Sequence, residues 1–463
     1  MRENKFRKKK LAKNTLIIAV GKVSTQLINF LLLPLYTYKL STQDYGDFDF
    51  ISTVSYFLLP LFTLLFEESM FRFLIDNKEE KETIISTAFL SMLLNSIILS
   101  FLGFLGYLIT KNERILLILL YTISCEFVSI SNALCRGMER LKIYSLSNFI
   151  SSIIIVVLNL ILILKYNLGF YSLIISNVFA YTLVSIVVFL KLKAFKFIKL
   201  KKFAKYKCKE MFKYSLPLIP NALSWNIINI SDRLVIMSFL GASYNGIYSI
   251  AYKFPNIISN FYSYFDIAWK EESAKIVKDN DNFLFNTIFS NVKKLMISIT
   301  LLLITGMPII YSYFIDSSYL NGLKYIPILA ISVYYISISG YLGGIFTGLK
   351  STKILGETSG IASIINLIIN LFFIKYIGLY AAAISTLIAG MFMYYYRKNK
   401  LKKILEIKSN EICPLLIFSI ITSIFYINNF ITNLINLMFA IFICIALNKN
   451  IILNIINKKV LRR

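Results

Sequence analysis

The sequence predicts an all-α polytopic membrane protein of about 14 transmembrane helices: two parallel six-helix repeats around a central cavity, plus two C-terminal helices. Three observations predict it. Hydrophobic residues make up 57% of the 463 and charged residues only 16%, against about a quarter charged in a soluble domain. Largely apolar runs recur along the whole length, each long enough to cross roughly 30 Å of hydrocarbon. The chain also matches itself at an offset near 200 residues.

The elements follow in order. The basic MRENKFRKKKLAK leads into an apolar run that continues to Leu35 without a convincing cleavage site. It therefore reads as a retained first span, 14–38, rather than a signal peptide. Spans two to six are expected at 46–71, 83–110, 115–135, 144–164 and 168–190. A Lys-rich connection precedes spans seven to twelve at 214–240, 246–269, 295–315, 325–348, 357–374 and 378–396. A short pair, 412–427 and 430–447, completes the set. The domain reading is an N-terminal bundle 1–190, a cytoplasmic basic linker 191–213, a C-terminal bundle 214–396, and an extra helix pair with a basic tail, 397–463.

A net charge of +26 raises the question of nucleic acid, and the location of the cations answers it. With a cytoplasmic N-terminus, the even-numbered connections and the C-terminus also lie inside. Together with the N-terminal segment they hold about 41 of the 50 Lys and Arg. The charge thus sets orientation and touches anionic headgroups; no nucleic-acid partner is expected. Histidine is absent, and the five cysteines show no CxxC spacing, so neither a metal nor a disulfide is indicated.

Shifted by 200 residues, Ser24, Ile28, Asn29, Leu40 and Gly46 fall on Ser224, Ile228, Asn229, Leu240 and Gly246, and Gln26 on Asn226. Shifted by 211, Gly137, Lys142 and Asn159 meet Gly348, Lys353 and Asn370. KYNLGFYSLIIS then meets KYIGLYAAAIS after a small gap. Six spans per repeat leave both halves pointing the same way, the architecture of transporters whose halves flank a central cavity.

Charges inside spans are costly and face a cavity or a partner. Around span seven, Asn221, Trp225, Asn226, Asn229, Asp232 and Arg233 share an arc of about 140°. Lys22, Thr25, Gln26 and Asn29 share the equivalent arc of span one. Neighbouring helical residues point about 100° apart, so Asp232 and Arg233 do not face each other. Asp232 is expected to pair with Lys253 at matching depth on span eight, leaving the Arg233 guanidinium aimed at the cavity and suited to phosphate oxygens. Alternatively, Arg233 and Lys253 snorkel to the outer headgroups, and Lys22 anchors span one at the inner interface. Glu126, midway along span four, is a candidate for ion coupling or for a hydrogen bond that pins helices. Glu67, Glu68 and Arg72 close span two, and Asp266, Trp269, Lys270, Glu271 and Glu272 close span eight, as gating or solvated interface groups.

The stretches NTLIIAVGKVSTQLINFLLLPLYTYKLSTQDYGDFDFIST and YSLPLIPNALSWNIINISDRLVIMSFLGASYNGIYSIAYKFP, with LFEESMFRF and YFDIAWKEES, resemble the Wzx-type polysaccharide repeat-unit flippases. That family belongs to the multidrug/oligosaccharidyl-lipid/polysaccharide exporter (MOP) superfamily, and the resemblance covers essentially the whole chain. It implies translocation of undecaprenyl-pyrophosphate-linked oligosaccharide repeat units across a bacterial cytoplasmic membrane, for capsule or O-antigen-type polysaccharide, by alternating access. It implies no enzyme activity and no cofactor, with coupling to an H+ or Na+ gradient. The partners it implies are the polyprenyl-pyrophosphate-linked glycan, membrane lipids, and a polymerase and glycosyltransferases acting on the same carrier; a monomer is the simplest assembly. A cation-coupled multidrug exporter or a lipid II flippase of the same superfamily are the alternatives. A drug pocket calls for carboxylates, however, and these polar faces carry Lys and Arg. A polytopic glycosyltransferase or polymerase needs sizeable outer loops, and here the outer connections are mostly two to nine residues long.

Overall fold

The computed structural model describes residues 26, 28, 30–76, 80–279, 281–349, 351–402, 404–407, 412–427 and 429–460. Seventeen α-helices and no strand occur among them. Nine stretches are long and apolar enough to cross a membrane, ten counting one bent pair. Wherever residues are described, helices occupy the expected windows. Most of span one lies outside the described residues. Span seven, with Asn226, Asn229, Asp232 and Arg233, is helical but not among the ten; the window of span eight falls on two helices, Ala242–Lys253 and Asn256–Asp279, which are not among them either; and the 412–427 helix is short.

In the first half, α1 (Leu33–Lys39) is followed by α2 (Thr42–Thr63), opened by a capping box in which Ser41 accepts from the Asp44 amide and Asp44 accepts from Ser41 in return. Span two is not one helix. It breaks at Leu64 and Leu65, both at positive φ (49° and 52°), and resumes as α3 (Phe66–Asp76) at an angle of 52°. Backbone polar groups freed at membrane depth need partners. Asn95, on α4 (Lys81–Thr110), supplies them, donating Nδ2 to the carbonyls of Leu61 and Phe62 at 2.7 Å each. The helices α5 (Glu113–Gly137), α6 (Leu141–Leu164) and α7 (Phe170–Lys191) complete the bundle.

The basic connection is structured rather than a free linker. Beyond α7 it forms two 3-10 turns and then α8 (Lys205–Ser215), packed on α3 and α4. Ala194 and Met211 join a core with Phe66, Met70, Leu74 and Ile84. Ser69 donates to the Met211 carbonyl at 2.9 Å, and Ser86 to that of Phe197. Lys199 pairs with Glu82 at 2.9 Å, and the buried Lys207 with Glu80 at 2.8 Å and Glu210 at 3.0 Å. Burial alone would lower the pKa of Lys207, but these two carboxylates hold it above the ordinary lysine value.

The second half runs α9 (Ile219–Phe239), α10 (Ala242–Lys253), α11 (Asn256–Asp279), α12 (Asn282–Phe314), α13 (Ile326–Gly348), α14 (Thr352–Ile377), α15 (Leu379–Leu401), α16 (Ile412–Ile427) and α17 (Phe430–Val460). The chain divides into two compact units between Arg233 and Leu234, inside α9 rather than in the basic connection. In the C-terminal unit the most deeply buried span is the one that contains α13.

The internal repeat is visible in the backbone. Gly169 and Gly378, at equivalent places in the KY…G…S motif, adopt φ 56°, ψ −137° and φ 56°, ψ −138° before their helices. Only glycine takes that conformation without strain. The paired Asn159 and Asn370 are both fully buried. Asn159 donates Nδ2 to the Tyr36 hydroxyl at 2.7 Å.

Candidate functional site

The capping box fixes where α2 starts, and so which faces its carboxylates take. Asp47 and Asp49 lie two residues apart, about 200° around a helix, and each finds its own guanidinium. Arg114, at the start of α5, meets Asp47 at 2.7 Å. Arg233, on α9, donates its Nε to Asp49 Oδ2 at 3.2 Å. The Arg233 side chain is 6% exposed and that of Asp49 13%, so the pair is largely withdrawn from solvent. Tyr45, one turn before Asp49, is fully buried beside it and lies 6.1 Å from the Tyr36 ring.

This corrects the expectation that Arg233 stays unpaired. A buried guanidinium without a counter-charge is expensive. Its partner comes from the first hairpin of the chain, from a carboxylate to which the sequence reading gave no role. Asp232 is buried and Lys253 exposed. Asn226 is half-buried and donates to the Ala222 carbonyl at 3.3 Å; Asn229 is half-buried as well. Gln26 is exposed. Lys22, Asn29 and the side chain of Trp225 lie outside what the structure describes.

The remaining candidates separate by surroundings. Glu126 is buried and accepts from Ser96 on α4; Glu67 is buried and accepts from Ser129 at 3.3 Å. Neither carboxyl has a Lys or Arg partner among the described residues. Arg72 is exposed and pairs with Asp76 one turn on, the behaviour of a solvated end of a helix. Asp266 accepts from the Tyr262 hydroxyl at 3.1 Å. Trp269 is fully buried. Its ring stacks on Tyr341 with centroids 4.0 Å apart, and its Nε1 donates to the Tyr341 carbonyl at 2.8 Å.

Two functional-looking charges escaped the sequence reading. Asp49 is one. The other is Arg397, counted there among the cytoplasmic loop cations, whereas it sits inside α15 at 2% exposure. Its three donor nitrogens reach Thr358 Oγ1 (3.0 Å), the Ser339 carbonyl (3.0 Å) and Ser359 Oγ (3.2 Å). The KNKLKK that follows Arg397 disguises it as loop, because it stands just after the end of the apolar run at Tyr396 while the helix continues to Leu401.

Comparison with known proteins gives a consistent picture. The family described as "Polysaccharide biosynthesis protein" matches residues 11–269. An uncharacterized membrane protein of Methanocaldococcus jannaschii is 24% identical over 411 residues, 83% of this chain and 96% of its own length. Among solved structures, the lipid II flippase MurJ in an inward closed conformation aligns with TM-score 0.66 at 18% identity, covering 95% of this chain and all of that one. An inward-facing multidrug resistance MATE family transporter of the MOP superfamily aligns with TM-score 0.64 at 14% identity, covering 83% and 98%. The fold is therefore shared with these two solved structures.

Proposed function

The chain belongs to the polysaccharide biosynthesis protein family, and we propose that it is a flippase. In this reading it moves undecaprenyl-pyrophosphate-linked oligosaccharide repeat units from the inner to the outer leaflet of the cytoplasmic membrane by alternating access. The observation that carries the reading is the buried Arg233–Asp49 pair in a chain whose polar span faces bear cations. A pyrophosphate head offers the guanidinium a bidentate set of oxygens and more negative charge than one carboxylate. It can therefore take the place of Asp49 on Arg233 and return it on leaving, so that the guanidinium is never without a counter-charge. Lys22 and Lys253 are the further cations proposed to meet the phosphates, and the prenyl tail stays in lipid. The buried Glu126, without a cationic partner among the described residues, is the proposed carrier of a coupling H+ or Na+. The fold shared with a lipid II flippase supports the reading at the level of architecture.

The test is genetic and chemical together. In cells lacking the gene, the wild-type chain should restore surface polysaccharide. Arg233→Ala at equal abundance should restore less than about a tenth, with lipid-linked glycan accumulating in the inner leaflet. Normal export by the variant would remove Arg233 from the mechanism, and normal export by the deletion strain would overturn the function.

A further inference from the structure

The N-terminal unit holds a partly open polar pocket that a phosphate-centred mechanism leaves unused. It measures about 290 Å³ and lies between α2, α5, α6 and α7. Six serines, three asparagines and two tyrosines stand among its sixteen lining residues, and none of the sixteen is charged. Some of these groups are occupied locally: Ser147 donates to the Tyr144 carbonyl and Ser152 to that of Asn148. Others are not. Ser151 lines the space at 7% residue exposure, and its buried Oγ has no hydrogen-bond partner among the described residues. Asn132 accepts from Asn148 through Oδ1 at 3.1 Å, a bond that uses neither hydrogen of its own Nδ2. On another wall the hydroxyls of Tyr56 and Tyr181 hydrogen-bond to each other at 3.4 Å.

Small polar residues commonly let membrane helices pack closely. Close packing would consume the space, and here the helices leave it open, with an unsatisfied buried hydroxyl in its wall. A phosphate or a cation would find no counter-charge on the lining, so a charged occupant is disfavoured. A dense set of neutral donors and acceptors beside phenol rings matches a sugar, which presents hydroxyls at its rim and apolar faces to aromatic rings. Its volume has room for at least one sugar ring.

We infer that this chamber is a sugar subsite that takes one uncharged, hydroxyl-bearing ring of the lipid-linked glycan, apart from the Arg233 that meets its pyrophosphate. The inference rests on the flippase reading. Its test uses the full chain in lipid nanodiscs and two kinds of probe. One is bare undecaprenyl pyrophosphate; the other is the same lipid carrying N-acetylglucosamine, glucose or galactose in turn. The wild type should bind at least one glycosylated lipid about tenfold more tightly than the bare one. Asn132→Ala, and Ser151→Phe that fills the chamber, should erase that difference while binding the bare lipid normally, whereas Arg233→Ala weakens both. Should Ser151→Phe fail to fold, Asn132→Ala carries the comparison alone. If the preference is absent, or survives the substitutions, the chamber is no sugar subsite, and bare-lipid binding that depends on Arg233 leaves the flippase reading standing. If the wild type ignores the bare lipid and the glycosylated lipids alike, both readings fall together.

Discussion

Among the described residues each unit of the molecule buries one guanidinium, and the two do so differently. Arg233 faces a carboxylate, Asp49, with its Nε 3.2 Å from Oδ2. Arg397 has no carboxylate among its described partners and is held by a carbonyl and two hydroxyls from α13 and α14. The difference separates exchange from fixture. A carboxylate can be replaced on an arginine by another anion. A cage of neutral oxygens from two neighbouring helices cannot be replaced without taking those helices apart. Arg397 is thus a rivet of the C-terminal unit, and Arg233 a charge that can change partners.

Substitutions can break this contrast, beginning with the largest effect. Arg397→Ala should cost about 4 kcal/mol, since three bonds from a charged donor disappear and the Ser339 carbonyl loses its donor. The thermal midpoint and yield of purified protein would report it. Arg397→Lys should recover little, because one ammonium cannot span three acceptors. Next, Arg233→Ala should cost about 3 kcal/mol by stranding Asp49 in the interior. Adding Asp49→Ala should bring stability back to within about 1 kcal/mol of wild type while export stays lost. Restored export in the double variant would make Arg233 a rivet as well.

The basic connection should respond more mildly. Lys207→Ala should cost about 1 kcal/mol, since Glu80 and Glu210 are themselves half in solvent. Trypsin should then cut residues 191–213 several-fold faster, with export unchanged. Arg72→Ala removes an exposed pair and should change the thermal midpoint by no more than an amount equivalent to about 0.5 kcal/mol.

The helices were legible because apolarity over twenty residues is a local signal, and the repeat because it recurs at a fixed offset. The glycine pair at 169 and 378, conspicuous in sequence, has nearly identical dihedrals in the structure. What sequence could not reach depended on contacts between distant elements. Asp49 gains its role from a residue 184 positions away. The burial of Arg397 is set by the helices around it, although its neighbours in sequence are loop-like lysines. The connection at 191–213 read as a linker because its lysines dominate, and it packs because Ala194 and Met211 fit the core left by α3 and α4. Span two read as continuous because nothing in LFTLLFEES announces two leucines in left-handed conformation.

That break in span two has an energetic consequence. In an unbroken helix the Leu61 and Phe62 carbonyls would accept from the amides of residues 65 and 66. In the bent form both accept from Asn95 instead. The same acceptors are satisfied whether the span is straight or bent, and only the identity of the donor changes. Straightening would also relieve two leucines of their left-handed geometry, at the expense of the Asn95 clasp. A kinked rod of this kind can flex inside a hydrocarbon layer without exposing bare peptide to the lipid.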